Sequence, residues 1–143
     1  MNKYFVLIII ILLIVAGGLF YRYRLLPAEH RPVNTGQIRE LTIVAKQNEW
    51  RFLPDDVTIQ RGDRVILTLV NEDDYDHGFG LEDFGISQKM PALATVKTEF
   101  VATQAGSFTF FCSVPGGEGD VNGEHRDHYD MTGVIQVIDA TGQ

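Results

Sequence analysis

The sequence predicts an all-β domain, a Greek-key sandwich or barrel, carried behind one N-terminal transmembrane helix. Short β-branched runs recur through residues 39–139, divided by turn residues and without a long helical period. Ahead of them lies an uncharged apolar run, Tyr4 to Tyr21. With 143 residues, 45% of them apolar, the chain has the size and composition of one folded domain plus an appendage.

The apolar run is YFVLIIIILLIVAGGLFY. At about 1.5 Å per residue it reaches roughly 27 Å, against a hydrocarbon core of about 30 Å. Lys3 stands before it, Arg22 and Arg24 after it, and Tyr4, Tyr21 and Tyr23 occupy the interfacial positions. A cleaved signal peptide has a shorter apolar core, about 7–15 residues, and ends in a small-residue site. Here Ala16-Gly17-Gly18 lies inside the run, so residues 1–24 are expected to remain as an anchor. Arg22, Arg24 and Arg31 lean towards a cytoplasmic C-terminus under the positive-inside rule. Residues 25–38 carry two prolines and no apolar period, and predict a linker. His30 falls within it and has no expected role.

The domain is expected over 39–143. Its strands are LTIVAK (41–46), DVTIQ (56–60), RVILTLV (64–70), ATVKTEFVA (94–102), SFTFFC (107–112) and GVIQVID (133–139). Turns are expected at Leu53-Pro54-Asp55, Arg61-Gly62-Asp63, 71–74 and Gln104-Ala105-Gly106. Val96, Thr98 and Phe100 alternate with Lys97 and Glu99, the pattern of a half-buried strand. Phe108, Phe110 and Phe111 are expected in the core.

Charge excludes one class of function. From Glu40 onward there are 18 acids and 7 bases, a balance of -11, which repels nucleic acid and suits a cationic partner. A single cysteine excludes a disulfide framework and any four-cysteine zinc or iron–sulfur site.

The chemistry concentrates near the end of the chain. Cys112 closes an apolar strand, and the loop SVPGGEGDVNGE leads to His125, His128 and Met131. His77 follows the acidic segment NEDDYD. Taken alone, Cys112 and Met131 would be core residues and His77 a solvated loop residue. Together, one thiolate, imidazoles and a weak thioether on a β scaffold form the donor set of a mononuclear electron-transfer copper site. Thiolate suits Cu(I) and imidazole Cu(II), so both states bind without large rearrangement.

These residues sit in motifs that resemble the cupredoxins. The opening Trp50-Arg-Phe52-Leu-Pro54-Asp-Asp-Val57-Thr-Ile59-Gln-Arg-Gly62-Asp63 is similar to theirs. Asp76-His77-Gly78-Phe79, Ala105-Gly106-Ser-Phe108-Thr-Phe-Phe-Cys112 and His128-x-x-Met131-x-Gly133 resemble the copper domain of cytochrome c oxidase subunit II. That family's dinuclear CuA centre needs a second cysteine, and Gly116 stands at its place. The loop from Cys112 to His128 is also eight residues longer than the family motif. The resemblance therefore implies one copper ion per chain, held by His77, Cys112 and His128. HGFGLEDFGIS and AGSFTFFC are also similar to nitrosocyanin, a red-copper cupredoxin with two histidines after the cysteine. The fourth ligand is Met131 by the first pattern and His125 by the second.

The resemblance implies an electron carrier, not an enzyme, tethered to the cell membrane with its copper domain on the periplasmic or extracytoplasmic side. A cationic cytochrome or an oxidase is the implied partner. Glu118, Asp120, Glu124, Asp127 and Asp130, with Asp73, Asp74 and Asp76, are the candidate docking acids. A red-copper site open to a small ligand and a periplasmic copper chaperone or store are the alternatives.

Overall fold

The computed structural model describes residues 3–25 and 36–139. Two compact units divide the chain, Met1–Pro32 and Val33–Gln143. In the first, helix α1 (Lys3–Phe20) runs into a π-helical turn, Tyr21–Leu25. None of the α1 side chains is buried, and the helix is long and apolar enough to cross a bilayer, a property that signal sequences share. Most of the expected linker, including His30, lies outside the described residues.

The second unit is a β-sandwich. One sheet has the order β2-β1-β4-β7, and the other β3-β11-β8-β5-β6. The first comprises β1 (Ile38–Ala45), β2 (Phe52–Leu53), β4 (Arg64–Asn71) and β7 (Thr95–Val101). The second comprises β3 (Asp56–Gln60), β5 (His77–Leu81), β6 (Ile86–Met90), β8 (Gly106–Phe111) and β11 (Thr132–Ile138). β1 runs parallel to β4, and β3 to β11, while the other pairs are antiparallel. Those parallel neighbours are distant in sequence and carry the crossovers of a Greek key.

Alternation decides which residues face inward. In β4, Val65, Leu67 and Leu69 are fully buried, and in β7 Phe100 is buried while Lys97 and Glu99 face water. Phe52, Phe79 and Phe110 fill the centre, with Phe79 stacked on Phe110 at 5.1 Å between ring centroids. Such aromatic pairs add about 0.5–1.5 kcal/mol beyond their buried area.

Two stretches outside the expected strands also form strands. The segment HGFGL-EDF-GISQKM forms β5 and β6 around a 3-10 turn, Glu82–Phe84. The long segment after Cys112 folds into a hairpin, β9 (Glu118–Val121) and β10 (Glu124–Asp127). Its turn is Asn122-Gly123, with φ of +53° and +86°, the left-handed pair that two-residue hairpins require.

Because every strand of the sandwich belongs to the second unit, a fragment beginning at Gly36 is expected to fold without α1. Far-UV circular dichroism checks this: a β spectrum with a cooperative melt is expected, and a helical or unfolded spectrum would overturn it.

Candidate metal centre

One end of the sandwich gathers most of the chemically distinctive residues. His77 opens β5 and Cys112 follows β8, and the two strands are hydrogen-bonded neighbours in one sheet. His77 Nδ1 lies 3.7 Å from Cys112 Sγ across 35 residues of sequence. Both side chains are buried, at 1% and 7% exposure.

The other ring nitrogen of His77 is held as well. Nε2 lies 2.7 Å from Asp73 Oδ2, and Asp73 is itself 1% exposed. Tyr75 and Trp50 enclose the imidazole, with centroid distances of 5.1 and 6.0 Å, and stack on each other at 5.2 Å. Burial opposes a charge on His77, but the Cys112 sulfur and the Asp73 carboxylate outweigh it and raise its pKa. Burial likewise pushes the Cys112 thiol up, while His77 and backbone hydrogen bonds at Gly78 and Val114 bring it below its ordinary value.

His128 begins a 3-10 turn, His128–Asp130, that leads to Met131. Asp127 caps it, accepting from Tyr129 N–H at 2.7 Å, while Asp127 N–H donates to Asp130 Oδ2 at 2.9 Å. Met131 is fully buried, and its backbone joins the two sides of the site. Cys112 N–H donates to Met131 O at 3.0 Å, and Met131 N–H to His128 O at 3.2 Å. The half-buried His128 ring accepts from Gly116 N–H through Nδ1 at 3.3 Å. These contacts link His77, Cys112, His128 and Met131 in one chain of neighbours.

His125 is placed elsewhere. It sits on β10, 62% exposed, with Glu118 at 3.6 Å and Asp120 at 3.4 Å. Among the described residues, no three His, Cys, Asp or Glu side chains are drawn together tightly enough to hold a metal. The donor set of His77, Cys112, His128 and Met131 nevertheless fits copper in chemistry. It offers one thiolate, two imidazoles and a thioether, and His77 aims one nitrogen at the sulfur while Asp73 occupies the other.

The hairpin is seated on Trp50. A Cβ at Gly117 would run into the indole, and one at Gly119 would lie 2.8 Å from its Nε1. Only glycine lets the backbone approach the ring this closely. Glu118, Asp120 and Glu124 stand exposed on the hairpin. Asp73 is not a surface acid as expected: it is buried as the partner of His77.

The cupredoxin-like domain family matches residues 8–121. The chain belongs to that family. The match includes His77 and Cys112 and stops within the hairpin, before His128 and Met131. Among solved structures, auracyanin A from Chloroflexus aurantiacus, described as a "blue" copper protein, is similar at 20% identity and a TM-score of 0.56. The similarity covers 71% of this chain and 99% of that one. The periplasmic domain of cytochrome oxidase subunit II from Bradyrhizobium japonicum is similar at 20% identity and a TM-score of 0.53, over 69% of this chain and 84% of that one. Copper nitrite reductase from Nitrosomonas europaea matches at 20% identity and a TM-score of 0.56, over 73% of this cupredoxin and 43% of the enzyme. A "blue" copper protein, a domain of an oxidase subunit and a copper enzyme thus share this fold.

Proposed function

We propose that this cupredoxin is a membrane-tethered electron carrier with one copper per chain, working between extracytoplasmic redox partners in a respiratory chain. Residues 1–24 serve as anchor, 25–38 as linker and 39–143 as the copper domain. The observation that carries the proposal is the run of contacts joining His77, Cys112, Met131 and His128. Copper in such a donor set supplies a one-electron Cu(II)/Cu(I) couple. Cys112, His77 and His128 would hold the copper, with Met131 as a weaker fourth donor. The packed sandwich around Cys112 and Met131 excludes water and limits movement of the donors. The half-buried His128 is the ligand nearest solvent, and the exposed acids of the hairpin beside it suit a cationic cytochrome or an oxidase.

The visible and electron paramagnetic resonance spectra of the copper-loaded protein test this. An intense thiolate charge-transfer band with one copper per chain is expected. A colourless protein, or one without stoichiometric copper, would sink the proposal. Burial of both Cys112 and His77 disfavours a chaperone, which must pass its metal to an acceptor.

Met131→Leu is expected to retain the band and raise the reduction potential, because the thioether would be the weakest of the four donors and a drier site would stabilise Cu(II) less. His125→Ala is expected to change neither. Spectroelectrochemistry on both variants decides the fourth ligand: bleaching by His125→Ala with a silent Met131→Leu would assign the red-copper alternative.

The proposed orientation puts the copper domain outside the cytoplasm, as in the subunit II domain described as periplasmic. Arg22 and Arg24 argue for the opposite orientation. A reporter fused after Gln143 is expected to be active only outside the cytoplasm, and activity confined to the cytoplasm would reverse the orientation.

A further inference from the structure

We propose that Asp73 is the positioning residue of the copper site, fixing the tautomer and orientation of His77 so that Nδ1 presents its lone pair beside Cys112. This rests on the copper reading above, but it concerns the protein's own hydrogen bonds.

A carboxylate only accepts hydrogen bonds. With Asp73 Oδ2 at 2.7 Å, Nε2 of His77 must carry the proton. In the neutral ring, Nδ1 is then the free donor atom, and it is the nitrogen that lies 3.7 Å from Cys112 Sγ. The opposite tautomer would place an unprotonated Nε2 against an anion and a proton on the nitrogen that should bind metal.

Asp73 is held independently of His77. Its Oδ1 accepts from Asn48 N–H at 2.8 Å, its own N–H donates to Asn71 Oδ1 at 3.0 Å, and its carbonyl accepts from Leu93 N–H at 2.8 Å. Asn71 is anchored in turn, since its Nδ2 donates to the carbonyls of Tyr75, Met90 and Pro91 at 2.8, 3.0 and 3.1 Å. The carboxylate is therefore a fixed post against which the imidazole is set. Tyr75 and Trp50 block the ring from turning away.

A passive structural role does not account for a carboxylate here. Burying a charge is costly unless it is paired and hydrogen-bonded. Both partners of the Asp73 oxygens are donors, so an asparagine would satisfy one and meet the other with its own N–H. Only the carboxylate accepts from both, and its negative charge also strengthens the imidazole as a donor to metal.

The test uses the full chain in detergent micelles with 15N-labelled histidine. In metal-free protein, at a pH where His77 is neutral, nitrogen shifts are expected to show the Nε2–H tautomer alone, with that proton slow to exchange. Asp73→Asn is expected to mix the tautomers and to speed exchange about tenfold or more, the effect of losing a hydrogen bond to a charged group. Copper-loaded Asp73→Asn is expected to keep one copper and show a more positive reduction potential. Asp76→Asn removes a carboxylate one residue from His77 that pairs with Lys89, and is expected to leave the tautomer unchanged. A wild-type His77 in the Nδ1–H form overturns the proposal, even if Asp73→Asn fails to fold. Equal tautomer populations in wild type and Asp73→Asn overturn it as well. Absence of copper binding by the wild-type chain would refute the electron-carrier reading and leave the tautomer result standing.

Discussion

Cys112→Ser is expected to abolish the visible band of the copper-loaded protein and most of its copper affinity. The colour arises from covalency between a thiolate and copper, and a serine hydroxyl is a harder, far more weakly acidic donor. Cys112 is the only cysteine in the chain, so no second thiolate can substitute. Serine is close to cysteine in size, and the backbone bond from residue 112 to Met131 O does not depend on the side chain. The fold should therefore survive, with unchanged circular dichroism and a melting temperature within a few degrees of wild type. Absorbance and metal analysis on the two proteins give the answer. A variant that retained an intense visible band would remove Cys112 from the site, and with it the proposed function.

The parts of this molecule that were legible in the sequence are those governed by local periodicity. In β7, Val96, Thr98 and Phe100 turn inward as their alternation requires, and β3 has the predicted bounds. The strand β5 was not legible, because HGFGL offers no alternation and all five residues are buried. Its glycines are there for close approach. A Cβ at Gly80 would lie 2.8 Å from the Phe111 ring, and one at Gly78 would collide with Ser113. Glycine that serves packing looks like a turn signal when only the sequence is read. The hairpin β9–β10 did have a signal, the Asn122-Gly123 pair between Val121 and Glu124. The acids around it gave the segment the character of a solvated loop.

The candidate ligands could be singled out because copper chemistry restricts the residue types. Their surroundings could not. Asp73, Asp74 and Asp76 are alike in sequence, yet Asp73 alone is buried, because Asn71, Asn48 and Leu93 hold it against His77. That distinction comes from tertiary hydrogen bonds between segments up to 25 residues apart, which no local pattern records. The same holds for Trp50, whose motif marks the start of the domain but whose ring ends up between Tyr75 and the glycines of the hairpin.

His77→Ala and His128→Ala are both expected to bleach the copper protein, but only the first should destabilise the metal-free form strongly. His77 is fully enclosed, so its loss opens a cavity and takes the ring N–H away from the buried Asp73 Oδ2, while Oδ1 keeps the Asn48 amide. Depriving a buried oxygen of its partner costs about 1–3 kcal/mol, more when it is charged, and the cavity adds to it. Total stabilities are roughly 5–15 kcal/mol, so this is a large fraction. His128 is half-buried, and its ring touches a backbone amide on an exposed loop, which water can satisfy instead. Its removal should cost the metal-free protein under about 1 kcal/mol. Urea unfolding of both variants without metal separates the two roles. Equal stability losses in the two variants would mean that His77 is not the buried, carboxylate-anchored side of the site.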